Sequence, residues 1–153
     1  MSGIGPISGN GRRTVDGLDF FWNGTLWLST QLFMGHVYDN TLSASLTYAR
    51  VAPPAGLYSD LWLENLIVSY NVGTTNDASN YWALNCRKQS AALAATTLAT
   101  ISTAAGGLTA HNESAAIGAL LGAFPIIDFQ ALKTGSAGAL TVAAAVTYRM
   151  VTP

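Results

Sequence analysis

Asp19-Phe20-Phe21-Trp22-Asn23-Gly24-Thr25-Leu26-Trp27-Leu28-Ser29 is the stretch whose reading decides the fold. Two apolar, aromatic-rich runs flank Asn23-Gly24, a dipeptide that tolerates the positive φ angles of a type I′ turn. Bulky rings suit a pleated, half-buried surface, so the spacing predicts a β-hairpin turning at Asn23-Gly24. The segment before it is glycine-rich, carries Pro6 and the pair Arg12-Arg13, and holds too little apolar surface to fold alone. It reads as an extended N-terminal arm, residues 1–16, ahead of a single domain over 17–153. Arg12 and Arg13 are then placed to meet carboxylates on a neighbouring subunit.

After the hairpin, apolar and polar residues alternate. In Thr41–Val51, Leu42, Ala44, Leu46 and Tyr48 share one face, and serines and threonine the other. Pro53-Pro54 ends that run, because adjacent prolines cannot donate to a ladder. Leu61–Val72 is apolar on both alternating faces, which predicts a strand covered on each side. Glu64 is its odd member and needs a partner. Tyr81–Gln89 reads as a returning strand, Ile126–Leu132 and Ala139–Val151 as two more. Residues 91–103 mix helix-favouring alanine with strand-favouring threonine and isoleucine and read as strand. Thr109–Gly122 reads as a strand or one helical turn. About eight short strands at regular spacing predict an all-β antiparallel sandwich, a jelly roll.

The chain has 153 residues, of which 50% are hydrophobic and 10% charged, with net charge −1. Soluble domains average about 25% charged residues. Near-zero net charge leaves no basic footprint for nucleic acid and no polybasic patch for anionic lipid. A surface this poor in charge implies cover by other subunits. Cys86 is the only cysteine, so no intramolecular disulfide can form, and its apolar setting predicts an inert thiol. The first residues lack a signal peptide's apolar core. The apolar run Ala115–Ile127 is broken by Gly118, Gly122 and Pro125 and is too short to span a bilayer. Synthesis in a cytoplasm, without a membrane anchor, is expected.

No constellation for chemistry is visible. His36 and His111 are isolated from cysteines and from paired carboxylates, whereas zinc needs three or four converging ligands. The eight acidic residues occur singly, which disfavours a glycosidase pair. Asp39-Asn40 and Asn76-Asp77 are explained by turn formation without a cation. The sequons at Asn23 and Asn112 read as chance matches. No catalytic residue, metal or other cofactor is therefore expected. The aromatic residues admit two uses. Phe20, Phe21, Trp22 and Trp27, with Arg12 and Arg13, form the expected subunit contact. As an alternative, Trp22, Trp27, Tyr38 and Tyr58 would make a glycan-stacking platform. Trp62 and Trp82 lie in alternating strands and read as core.

Three pieces, Phe20–Ser29, Thr75–Trp82 and Thr134–Leu140 with Thr147–Val151, resemble in order and spacing a group of small jelly-roll virion proteins of tailed bacteriophages, including cyanophages. The resemblance covers the chain from about Val15 onward and rests on structural motifs. It implies a non-enzymatic virion component: a capsid cement (decoration) protein that bridges capsomers, or a tail- or fibre-associated module that binds host glycan. The implied partners are the major capsid protein or other virion proteins and further copies of the chain, as a dimer or trimer. The absence of a long coiled-coil or fibre segment favours cement.

Overall fold

The structure is a computed structural model and describes residues 11–15, 18–37, 41–51, 60–73, 76–89, 92, 94–105, 110–122 and 126–152. Among these, eleven strands run in chain order. They are β1 (Arg12–Val15), β2 (Leu18–Trp22), β3 (Trp27–Ser29), β4 (Leu32–Val37), β5 (Leu46–Val51), β6 (Asp60–Val72), β7 (Tyr81–Gln89), β8 (Ala95–Ser102), β9 (Ala110–Leu120), β10 (Ile127–Thr134) and β11 (Leu140–Thr152). One 3-10 turn, Thr103–Ala105, follows β8.

The pairing is nested. β4 pairs with β11, β5 with β10, β6 with β9 and β7 with β8, all antiparallel. One long antiparallel ribbon, folded over on itself, produces this pattern. The pairings β11–β6 and β10–β7 then close it into two sheets. A seven-stranded sheet has the order β1-β2-β3-β11-β6-β9, with β4 also beside β11, and faces a four-stranded sheet β5-β10-β7-β8. That is a jelly roll, enlarged at one edge by the β1–β2 hairpin. β3 and β4 take successive positions along the same edge of β11, so they are two pieces of one strand broken at Thr30-Gln31.

The core lies between the sheets. Phe20, Leu63, Leu66, Val68 and Val72 meet Trp82, Leu84, Ile127 and Phe129, all essentially buried. Each such side chain contributes about 1.5–3 kcal/mol on leaving water. Two of the resembling pieces interlock at one end. Asn80 Oδ1 accepts from the Ser136 N–H (2.8 Å), and Trp82 Nε1 donates to the Gly138 carbonyl (2.8 Å).

Several expectations change in detail. β6 is not buried on both faces. Its register against β11 shifts between Leu63 and Asn65, leaving Glu64 as the extra residue of a β-bulge. Leu61 and Leu63 before the bulge, and Leu66, Val68, Tyr70 and Val72 after it, therefore all point into the core. The two apparent apolar faces are one face seen across a phase change. The hairpin forms, but its turn sits one residue later than expected. The Asn23 N–H donates to the Leu26 carbonyl (3.1 Å), so Gly24 and Thr25 are central. Gly24 has φ +99° at the first central position, where a type II′ turn needs glycine. Asn23 instead closes the turn through its side chain, accepting from the N–H groups of Thr25 (2.9 Å) and Leu26 (2.8 Å). At its end the expected arm is a strand: Arg12–Val15 pairs with Leu18–Phe21 and forms the sheet's edge. The rest of the arm, residues 1–10 and Asp16, lies outside the described residues. Within the 91–103 and 109–122 segments, Ala95–Ser102 (β8) and Ala110–Leu120 (β9) are strands.

Candidate functional site

The bulge in β6 positions the first part of the site. It turns Glu64 to the outer face of the seven-stranded sheet, where Oε1 accepts from Arg149 Nε at 2.6 Å and the other oxygen from Gln31 Nε2. Arg149 also donates to the Ser29 carbonyl (3.0 Å). This cluster ties β3, β6 and β11 together at the break between β3 and β4. Alternation then places Phe33 and Ile67 on the same outer face, on either side of Thr147 and Ala145 of β11. Phe33 is 67% exposed and Ile67 36%. Phe21 (41%) on β2 and Leu120 (39%) on β9 extend the apolar surface toward the two edges of the sheet.

The outer face of the four-stranded sheet differs. Its polar side chains bind one another across all four strands. Thr100 donates to Asn85 (2.7 Å), Asn85 to Gln130 (3.3 Å), and Gln130 to Thr47 (3.3 Å). Arg87 grips the fully buried Asp128 with Nε (2.7 Å) and Nη2 (3.0 Å), and Gln89 donates to the same carboxylate. This face also carries the exposed Leu132 (39%) beside Gln130, but most of its polar side chains are paired among themselves and so offer less to a partner. The apolar outer face of the large sheet is the stronger candidate for contact.

Ion pairs occur on both sheets. Arg12 pairs with Asp19, Arg87 with Asp128 and Arg149 with Glu64. Lys133 Nζ donates to the Ser43 carbonyl (3.0 Å). Arg12 and Thr14 hold the Asp19 carboxyl below its usual value. Burial, then the hydrogen bond to Glu113, pushes the Tyr70 hydroxyl up to about 12. Burial and the nearby Asp128 charge push the Cys86 thiol up to about 12, so it stays protonated and unreactive near neutrality. No group of three or more His, Cys, Asp or Glu side chains among the described residues lies close enough together to hold a metal ion.

The residues expected at a subunit contact separate. Phe21 and Trp22 are exposed, and Arg12 extends along the edge strand with its side chain 62% exposed. Phe20 is fully buried and Trp27 is 8% exposed, because both lie on the inward side of the hairpin and take part in the core. Arg13 stacks over the Trp27 ring at 4.6 Å. These three hold the hairpin down and do not present a surface. The glycan platform fares similarly. Trp22 and Trp27 stand 5.5 Å apart with planes tilted by 51°, and Trp27 is covered, so one exposed indole remains. Tyr38 and Tyr58 lie outside the described residues. Sequence reasoning missed Phe33, Ile67 and Leu120. Phe33 was legible only once the strand Leu32–Val37 had a fixed phase, and Ile67 was hidden by the bulge.

No family model matches the chain, and no curated protein matches it significantly. Among solved structures it aligns with one described as "Structure of infectious bursal disease virus Gx strain" over 95% of its length and 37% of that chain, with 11% identity and a TM-score of 0.40. A second, the Gt strain of that virus, aligns over 95% of this chain and 52% of the other, with 11% identity and a TM-score of 0.23. The chain thus spans little more than a third to a half of those chains. Neither likeness is close enough to fix the fold, which rests on the chain's own strand pairing.

Proposed function

We propose that the chain is a non-enzymatic structural subunit of a virus particle, a cement protein of a bacteriophage capsid. The observation that carries this reading is the outer face of the seven-stranded sheet. Phe21, Phe33, Ile67 and Leu120 stand exposed there, while the neighbouring charges are already paired within the chain. Such a face gains by burial and needs no counter-charge from a partner. The low overall charge and the jelly-roll topology support the same reading, as does the resemblance of the three sequence pieces. Cement acts by spanning joints between capsomers, where many weak apolar contacts add up against internal pressure. The part in contact with the major capsid protein is, on this reading, the Phe33–Ile67 region.

The test is co-sedimentation of the purified chain with particles lacking it, comparing wild type with Phe33→Asp/Ile67→Asp. Phe33 is 67% exposed but Ile67 only 36%, in a strand paired on both sides. A loss of about 1–2 kcal/mol in fold stability is therefore expected, and circular dichroism must show the variant folded. Attachment should fall at least tenfold per residue, about 1.4 kcal/mol each, if they are interface anchors. Unchanged attachment would remove this face from the account.

A further inference from the structure

The turn at Asn23-Gly24 carries chemistry that the fold itself does not use. A glycine after asparagine leaves its backbone nitrogen unshielded, so this dipeptide closes to a five-membered succinimide more readily than other pairs beginning with asparagine. Here nothing covers it. Asn23, Gly24 and Thr25 are exposed, and a Cβ built on Gly24 would meet no atom within 4 Å. Among the described residues no group accepts a hydrogen bond from the Gly24 N–H, the group that attacks. Sterics and solvent access leave the reaction open, so the backbone geometry decides whether it runs.

That geometry is held by three hydrogen bonds. The Asn23 N–H donates to the Leu26 carbonyl (3.1 Å), and Asn23 Oδ1 accepts from the N–H groups of Thr25 (2.9 Å) and Leu26 (2.8 Å). As the residue before the two central positions of the turn, Asn23 continues the extended backbone of β2. In an extended residue the main-chain carbonyl oxygen, not the following nitrogen, lies nearer the side chain. Ring closure needs the reverse. The Gly24 nitrogen must swing about the Asn23 Cα–C bond until it reaches Cγ. Thr25 and Leu26 lie beyond that bond and are carried with it. The turn as these bonds close it, and the register of Trp22 against Trp27, therefore have to open before the ring can form.

We propose that Asn23-Gly24 is a covalent ageing site that the closed hairpin holds shut and that reacts when the hairpin opens. The Gly24 nitrogen, its proton passed to solvent, bonds to Asn23 Cγ. The Cγ–Nδ2 bond breaks, and that nitrogen leaves as ammonia. Water then opens the succinimide. Attack at Cγ gives aspartate, and attack at the main-chain carbonyl gives isoaspartate, with the chain rerouted through the side chain. Either product puts a new carboxylate beside Trp22 on a chain whose net charge is −1. Isoaspartate also adds a methylene to the main chain and takes the Asn23 tether out of the turn, so the same frame cannot close again. The product is a one-way record of hairpin opening. The inference does not rest on the cement reading.

The full chain is aged at mildly alkaline pH, folded and in urea that unfolds it, and Asn23 is followed by peptide mass mapping with an isoaspartate assay. In the folded chain Asn23 should react at least about tenfold more slowly than in urea, because the reactive form requires several hydrogen bonds to open. Thr25→Pro removes one donor to Asn23 Oδ1, and proline suits the φ of the second central position of the turn. This variant should age about threefold faster or more when folded, with unchanged circular dichroism and the wild-type rate in urea. Equal rates for Asn23 in the folded and unfolded wild type would overturn the proposal. A folded Thr25→Pro chain that ages as slowly as wild type would do so as well.

Discussion

At Gly135 the backbone runs so close to Ser79 that a Cβ would lie 2.3 Å from its carbonyl oxygen, with φ at +59°. Both the contact and the angle exclude other residues. Gly135→Ala should therefore lose more than about 1 kcal/mol, read from the urea midpoint, by pushing apart the interlocked 76–80 and 134–138 loops. The same corner carries a pH response. Asp77 accepts from the Asn80 side chain and from the backbone N–H groups of Ser79 and Asn80, which lowers its carboxyl from 3.8. Asp19 is lowered likewise by Arg12 and Thr14. A depressed folded-state value means that the contribution is present above the unfolded value and lost as pH falls through the folded one. Thermal stability should fall as pH drops below about 4. Asp77→Asn should flatten part of that slope, and an unchanged acid profile in the variant would contradict the assignment.

At the scale of the element, alternation made the long strands legible. The even-numbered row Leu140, Val142, Ala144, Val146, Tyr148 and Met150 of β11 is the row that the core covers. What alternation could not reveal was where it breaks. The extra residue Glu64 shifts β6 by one, and a pattern of period two then reads as two apolar faces. The hairpin was legible from its aromatic flanks, but the turn's frame depends on an Asn23 side-chain bond that competes with the backbone one. Phe20 and Trp27 are inward and Phe21 outward, which needs the phase of β2 and β3 relative to the core. In the four-stranded sheet, the Arg87–Asp128 pair joins β7 to β10 with the carboxylate fully buried. Arg87→Ala would strand that charge, and chemical denaturation should show a loss of about 3–5 kcal/mol. A loss below about 1 kcal/mol would mean that Gln89 and solvent satisfy Asp128 without the arginine.

For the whole molecule, the nested pairing explains how a chain with few charges builds a closed core and still leaves distinct outer surfaces. One sheet binds its own polar groups into a network. The other displays the most exposed large apolar side chain, Phe33, with Phe21, Ile67 and Leu120 on the same face. The central claim is that the chain is built into a capsid in many copies. Quantitative mass spectrometry of gradient-purified particles, with capsids and tails separated, tests it most directly. The account predicts the chain in the capsid fraction, in fixed proportion to the major capsid protein. Its absence from particles, or its presence only with tails, would contradict it.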